Sequence, residues 1–151
     1  KQRVEEDNDV LEKVLALTEA PRADVIYQAL RVIRTLLTAD ADNLKTDWAK
    51  RVRQKLLTIC VANPPSNVAY EAMGILALDP RHEDIEWVAR YITEASDELY
   101  NGARPTGWLK SLRNQGYLPG LRRVLRELLV SNPSENVQRR LREALEELRS
   151  G

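Results

Sequence analysis

The sequence predicts an all-α fold: a solenoid-like stack of about four antiparallel helical hairpins with an irregular insert. Three observations carry that reading. Apolar residues recur at i, i+3 and i+4 spacing in one segment after another, Pro next to Asp or Asn punctuates those segments, and no stretch alternates as a strand would.

In chain order, residues 1–9 form a polar, acidic N-terminal end, with Glu5, Glu6, Asp7 and Asp9 suited to a frayed terminus or a first helical turn. A single helical-repeat domain then covers 10–151. Val10, Leu11, Val14, Leu15 and Leu17 start it at helical spacing, and Pro21 ends that helix or opens the next. Val25, Ala29, Val32, Ile33, Leu36 and Leu37 make the stripe of a second helix. Residues 39–43 break the chain, with Asp42 or Asn43 available as a cap. A third helix is predicted over about 44–62, with Trp48, Val52, Leu56, Ile59 and Cys60 on one face.

Asn63 is read as the cap and Pro64 as the opening of a fourth helix carrying Val68, Ala72, Ile75 and Leu76. Asp79–Pro80 is read as the start of a fifth, with Ile85, Val88, Ala89 and Ile92, fading near Tyr100. Asn101, Gly102, Pro105 and Gly107 are breakers, so residues 93–117 are the irregular insert, with a short helix over 108–114. Leu118, Pro119 and Gly120 lead into a helix with Leu121, Val124, Leu125, Leu128 and Leu129. Asn132–Pro133 is read as opening the last helix, whose stripe is Val137, Leu141, Ala144, Leu145 and Leu148, with Glu135 placed as in a capping box.

An internal repeat underlies these elements. Pro21, Asp24, Val25, Tyr27 and Ala29 match Pro64, Asn67, Val68, Tyr70 and Ala72 at an offset of 43 residues. Asn63–Pro64 and Asn67–Val68 match Asn132–Pro133 and Asn136–Val137 at an offset of 69. The first offset suits a two-helix repeat, and the second needs about one extra helix or long loop between units.

The stretch Ala69, Tyr70, Glu71, Ala72, Met73, Gly74, Ile75, Leu76 followed by Asp79, Pro80 and Arg81 resembles the second helix and linker of HEAT-like (armadillo/HEAT-type) repeats. Residues 132–148 are similar to the same second helix, and 118–129 to its partner first helix. The resemblance covers about two-thirds of the chain. It implies a curved stack of hairpins serving as a protein-binding scaffold, although some members grip DNA or carry cofactor-linked chemistry.

Composition narrows the function. Lys and Arg together number 23, as do Asp and Glu, so the chain lacks the bulk positive charge of a dedicated nucleic-acid binder. One cysteine excludes an internal disulfide framework and suits a reducing, cytoplasmic or otherwise intracellular compartment. No apolar run is long enough for a membrane span and no signal-peptide pattern appears. The chain opens on Lys1 rather than Met, as expected of a processed product or a piece of a longer protein.

His82 is the only histidine and is read as an exposed surface residue; Cys60 is read as a buried, inert thiol. The acid pairs Glu83/Asp84 and Glu146/Glu147 are adjacent in sequence, point apart on a helix, and are read as solvated surface. Cys/His metal spacing and a glycine-rich phosphate loop are both missing. The expectation is a non-enzymatic module with no catalytic residue, cofactor or metal.

One stretch stands apart. Between Glu98 and Glu127 there is no acid, yet Arg104, Lys110, Arg113, Arg122, Arg123 and Arg126 occur there with Tyr100, Trp108 and Tyr117 interleaved. The preceding segment is acidic, with Asp79, Glu83, Asp84, Glu86, Glu94, Asp97 and Glu98. Either the two segments neutralise each other across adjacent helices around Trp108 as a core anchor, or the basic one binds an acidic peptide, a phosphate or single-stranded nucleic acid. A second candidate surface is the exposed side of the second helices, with Tyr27, Arg31, Arg34, Tyr70, Glu71, Arg139 and Arg142. The predicted partner is a protein, through an acidic peptide; the alternative is a nucleic-acid or phosphate-binding domain using residues 104–126.

Overall fold

The computed structural model describes residues 8–149. Among the described residues the chain is all-helical, without a strand. The α-helices are α1 (Asn8–Leu17), α2 (Ala23–Ala39), α3 (Asp47–Val61), α4 (Ser66–Leu76), α5 (Asp84–Glu94), α6 (Asp97–Gly102), α7 (Thr106–Leu112), α8 (Leu118–Ser131) and α9 (Glu135–Arg149). A 3₁₀ turn over Ala41–Lys45 precedes α3, and a π-turn over Arg113–Tyr117 precedes α8. Of the polar N-terminal end predicted over 1–9, residues 1–7 lie outside the described residues, and Asn8 and Asp9 open α1. No described helix is long and apolar enough to cross a membrane.

Helices α1 and α2, α3 and α4, and α8 and α9 pack as sequence neighbours, and further along the chain α2 packs on α4, α3 on α5, α4 on α6 and α7, α5 on α8 and α9, and α7 on α9. The fully buried Ala69 and Ala72 explain why α4 accommodates two partners, because side chains this small let α2 and α3 come close. The core continues through Ile92 of α5, Leu109 and Leu112 of α7 and Leu121 and Leu125 of α8. The sequence repeat is kept at the helix starts: α2, α4 and α9 begin at Ala23, Ser66 and Glu135, which differ by the same 43 and 69 residues.

Several predicted boundaries move. Asn63 does not cap α4: it takes φ 55°, reversing the chain after α3, and its Oδ1 accepts from Ser96 N at 3.1 Å. Asp79–Pro80 does not open α5, which starts at Asp84 after a turn over 80–83. Thr46, not Asp42 or Asn43, caps α3 by accepting from Ala49 N, and the Asn43 amide instead donates to Leu36 O at 2.8 Å. Asn132 ends α8, and Ser134 supplies the cap acceptor for Val137 N. At α3 and α9 a hydroxyl closer to the helix, Thr46 or Ser134, holds the cap position in place of Asp42, Asn43 or Asn132, whereas α4 and α5 start without a side-chain cap.

The predicted insert is ordered secondary structure. α5 stops at Glu94 instead of fading near Tyr100, and Ser96 caps the separate α6 by accepting from Leu99 N. The short helix predicted over 108–114 is α7, which continues into the π-turn where Gly116 takes φ 100°. Val10, Leu17 and Val32, assigned to buried stripes, are exposed.

Candidate ligand cleft and basic face

A cleft of about 300 Å³ lies where α2, α4 and the start of α7 meet. Arg34 reaches it from α2, whose inner face is fixed by Leu30, Ile33 and Leu37. Tyr70, Met73 and Gly74 come from α4, and Leu78 from the turn after it. Arg104, Pro105 and Gly107 enter from the α6–α7 junction, with the edge of Trp108 behind them. Tyr70 is 63% exposed at the rim, whereas Met73 and Trp108 are buried in the floor.

Both arginines are positioned. Arg34 Nη1 lies 3.5 Å from Glu71 Oε1, a long contact to a mostly buried carboxylate. Arg104 Nη1 lies 2.7 Å from Glu143 Oε2, and its guanidinium sits 5.7 Å from the centre of the Tyr100 ring. Glu143 is shared with Arg139 at 3.8 Å. Both guanidinium groups remain substantially solvent-exposed, so each keeps donors free for a carboxylate or phosphate oxygen.

The wall behind the cleft is built on Asp84, which is wholly buried, contrary to its reading as solvated surface. Its Oδ2 accepts from Trp108 Nε1 at 3.1 Å, from Arg81 N at 3.2 Å and from Arg53 Nη2. Trp108 is therefore a core anchor rather than a contact residue on a basic patch. Cys60 is buried too, and burial together with the nearby Asp84 carboxylate pushes its thiol up to about 12.

The remaining predicted residues separate. Tyr27 and Arg31 lie a turn apart on α2, joined by a 3.3 Å hydrogen bond from Arg31 Nη1 to the Tyr27 hydroxyl, and do not line the cleft. Arg113 is half-buried with Nη1 inside the fold, so it does not belong to an open patch. Arg123 and Arg126 are exposed and Arg122 partly so on α8, and Lys110 is exposed on α7. Among the described residues none of Lys110, Arg122, Arg123 and Arg126 forms an ion pair. His82 is exposed, as read, with its ring edge-on to Tyr117 at 5.6 Å. No group of three or more His, Cys, Asp or Glu among the described residues is arranged to hold a metal ion.

Sequence reading missed Arg140. It is 4% exposed, donates to Ile92 O and Ala95 O at 3.0 and 2.8 Å and to Asp97 Oδ1 at 2.5 Å, and lies 4.6 Å from the Tyr100 ring centre. Only its place between Val137, Leu141 and Ala144 on the helical wheel signalled that it points inward.

Comparison with protein-family models, curated proteins and solved structures finds no match.

Proposed function

We propose that this chain is a non-enzymatic protein-interaction module, a HEAT-like stack of helical hairpins that holds an acidic segment of a partner protein in the α2–α4–α7 cleft. The observation that carries this is the meeting of Arg34 and Arg104, one from each surface singled out in the sequence, at opposite sides of a single cleft. Between them Met73, Ala77, Leu78 and Pro105 supply an apolar floor. The chemistry fits a peptide that places carboxylates on the two guanidinium groups and an apolar side chain on the floor. Residue Cys60, a buried free thiol, is consistent with a reducing compartment.

Nucleic-acid or phosphate binding over 104–126 has the unpaired Lys110, Arg122, Arg123 and Arg126 in its favour. Two of the three aromatics interleaved with these cations, Tyr100 and Trp108, are buried, which leaves the half-buried Tyr117 as the one that a base could stack on.

The test is fluorescence anisotropy with a labelled peptide alternating Glu and Leu, beside the same peptide carrying Gln for Glu and a single-stranded oligonucleotide. The Glu peptide is expected to bind, and Arg34→Glu with Arg104→Glu to weaken it by about tenfold or more, roughly 1.4 kcal/mol. Equal binding of the Gln peptide, or an unchanged double variant, overturns the reading. Steep log-linear salt dependence of oligonucleotide binding would support the alternative.

A further inference from the structure

The 43-residue repeat gives α2 and α4 matching stripes, and the fold covers only one of them. On α4, Val68, Glu71, Ala72 and Ile75 follow the i, i+3, i+4, i+7 spacing of a single helix face. That face receives α2: Arg34 meets Glu71 at 3.5 Å, and Ile75 borders the same small cavity as Leu37. Val68 and Ile75 are accordingly 1% and 5% exposed. Their counterparts on α2, at the same offset, are Val25, Gln28, Ala29 and Val32. Among the described residues this second stripe lies open, with Val32 46% exposed and Leu17 of the adjoining α1 45% exposed.

The stripe is one wall of a groove of about 260 Å³ whose other wall is Val14 and Leu17 of α1. Its polar lining is Gln28 and Asp24, and the Asp24 carboxylate is held by Arg22 at 2.6 Å. The groove therefore suits an apolar occupant rather than a charged one. The last helix differs in this respect. Arg139, Arg142, Glu146 and Arg149 are exposed on α9 at i, i+3, i+7 and i+10, the polar outer face that ends a helical stack. The α1–α2 hairpin presents apolar side chains where such a face would be.

What covers the stripe of α4 shows what fits the stripe of α2. The covering helix is α2 itself, which turns Leu30, Ile33 and Leu37 inward at i, i+3 and i+7. From this continuity with the α2–α4 interface, we infer that the α1–α2 groove is a docking site for an amphipathic helix of a partner protein, with an apolar stripe like that of α2. The docked helix extends the α2–α4 packing by one layer, through the spaced anchors that helix-in-groove recognition uses. The polar face of α9 offers no such stripe, so a second copy does not extend the stack end to end. At 100° per residue the groove lies on the far side of α2 from Arg34, and its occupancy is independent of peptide binding in the α2–α4–α7 cleft.

The probe is a fluorescent peptide copying residues 23–39, titrated into the whole chain by anisotropy, with helicity followed by circular dichroism. Saturable binding with a gain in helicity is expected, and it should change little with salt because the contact is apolar. Val32→Asp and Leu17→Asp, exposed substitutions whose urea melts should match wild type, should each weaken binding by about tenfold or more. Leu30→Asp with Ile33→Asp in the peptide alone should abolish binding to the wild-type protein. Val130→Asp, at an exposed apolar position on α8, should leave binding unchanged, as should Arg34→Glu with Arg104→Glu. Absence of binding, equal binding of a scrambled peptide, or groove variants that bind like wild type would each overturn the proposal. So would a wild-type dimer, seen by sedimentation equilibrium and lost in Val32→Asp, because the occupant would then be a second copy of this chain.

Discussion

The guanidinium of Arg34 lies directly over Gly74. A Cβ built on that glycine would stand 3.0 Å from Arg34 Nη1, with nothing else as near. Glycine in a helix interior costs about 1 kcal/mol relative to alanine, and α4 has this one a residue before its buried Ile75. The missing side chain leaves room for Arg34 to lie across the helix at the cleft. Gly74→Ala should therefore raise stability by up to about 1 kcal/mol, because the flexible arginine end can shift by a few tenths of an ångström. The same shift should weaken binding of the Glu–Leu peptide. A urea melt beside an anisotropy titration separates the two effects, and a stabilised variant with undiminished binding would detach Gly74 from the site.

Asp84 is the hub behind that site. Its carboxylate joins Arg53 of α3, the Arg81 backbone and Trp108 of α7. Asp84→Ala should cost about 3–5 kcal/mol, because it leaves a largely buried guanidinium without its counter-charge and an indole N–H without an acceptor. Asp84→Leu combined with Arg53→Met should cost less than the sum of the two single changes, since removing both charges strands neither. Additive losses in denaturant melts would show that the pair does not act as a unit.

How far the sequence could be read follows from these residues. Periodicity located the helices because burial of Leu56, Leu76, Leu121 or Leu141 leaves a 3.6-residue imprint. Helix starts are less legible: Thr46 and Ser134 cap α3 and α9 close to the more conspicuous Asn43 and Asn132, Ser96 caps α6 beside Asp97, and α4 and α5 start after a Pro with no side-chain cap to mark them. Asp84 and Arg140 were missed for a different reason. A charged residue counts as surface until its partners are known, and theirs lie 31 and 43 residues away, at Arg53 and Asp97. Half of the cleft was visible as Arg34 and half as Arg104, but nothing short of the packing of α2, α4 and α7 brings the two together.

Arg140 gives a prediction that only the fork of a guanidinium explains. Nη1 spans Ile92 O and Ala95 O while Nη2 takes Asp97, which locks the end of α5 and the start of α6 onto α9. Arg140→Lys keeps the charge but cannot reach all three acceptors, and each orphaned buried carbonyl costs about 1–3 kcal/mol. The neighbouring exposed Arg139→Lys should fall within about 0.5 kcal/mol of wild type. Thermal melts of the pair make the comparison, and equal midpoints would mean that the fork contributes nothing.

The last prediction concerns alkaline pH. Burial carries the Cys60 thiol from its ordinary value near 9 up to about 12. Tyr100 is likewise raised to about 12, chiefly by burial, and Tyr91 is raised from near 10 for the same reason. In the unfolded chain these groups lose their protons at their ordinary values, whereas in the folded chain they keep them. Above pH 9 the unfolded state therefore binds fewer protons than the folded one, and stability falls as pH rises. The slope approaches about 1.4 kcal/mol per pH unit for each group in play. Cys60 acts first, because its unfolded value is the lowest of the three, and the tyrosines join from about pH 10. Chemical denaturation between pH 8 and 11 should show wild-type stability declining from about 9, with the onset in Cys60→Ala delayed by about one unit. Native protein should also resist a thiol reagent at pH 8 until it is unfolded, since the reactive thiolate is scarce and enclosed. An unshifted onset in Cys60→Ala, or rapid labelling of the native thiol, would contradict the burial that places Cys60 beside Asp84.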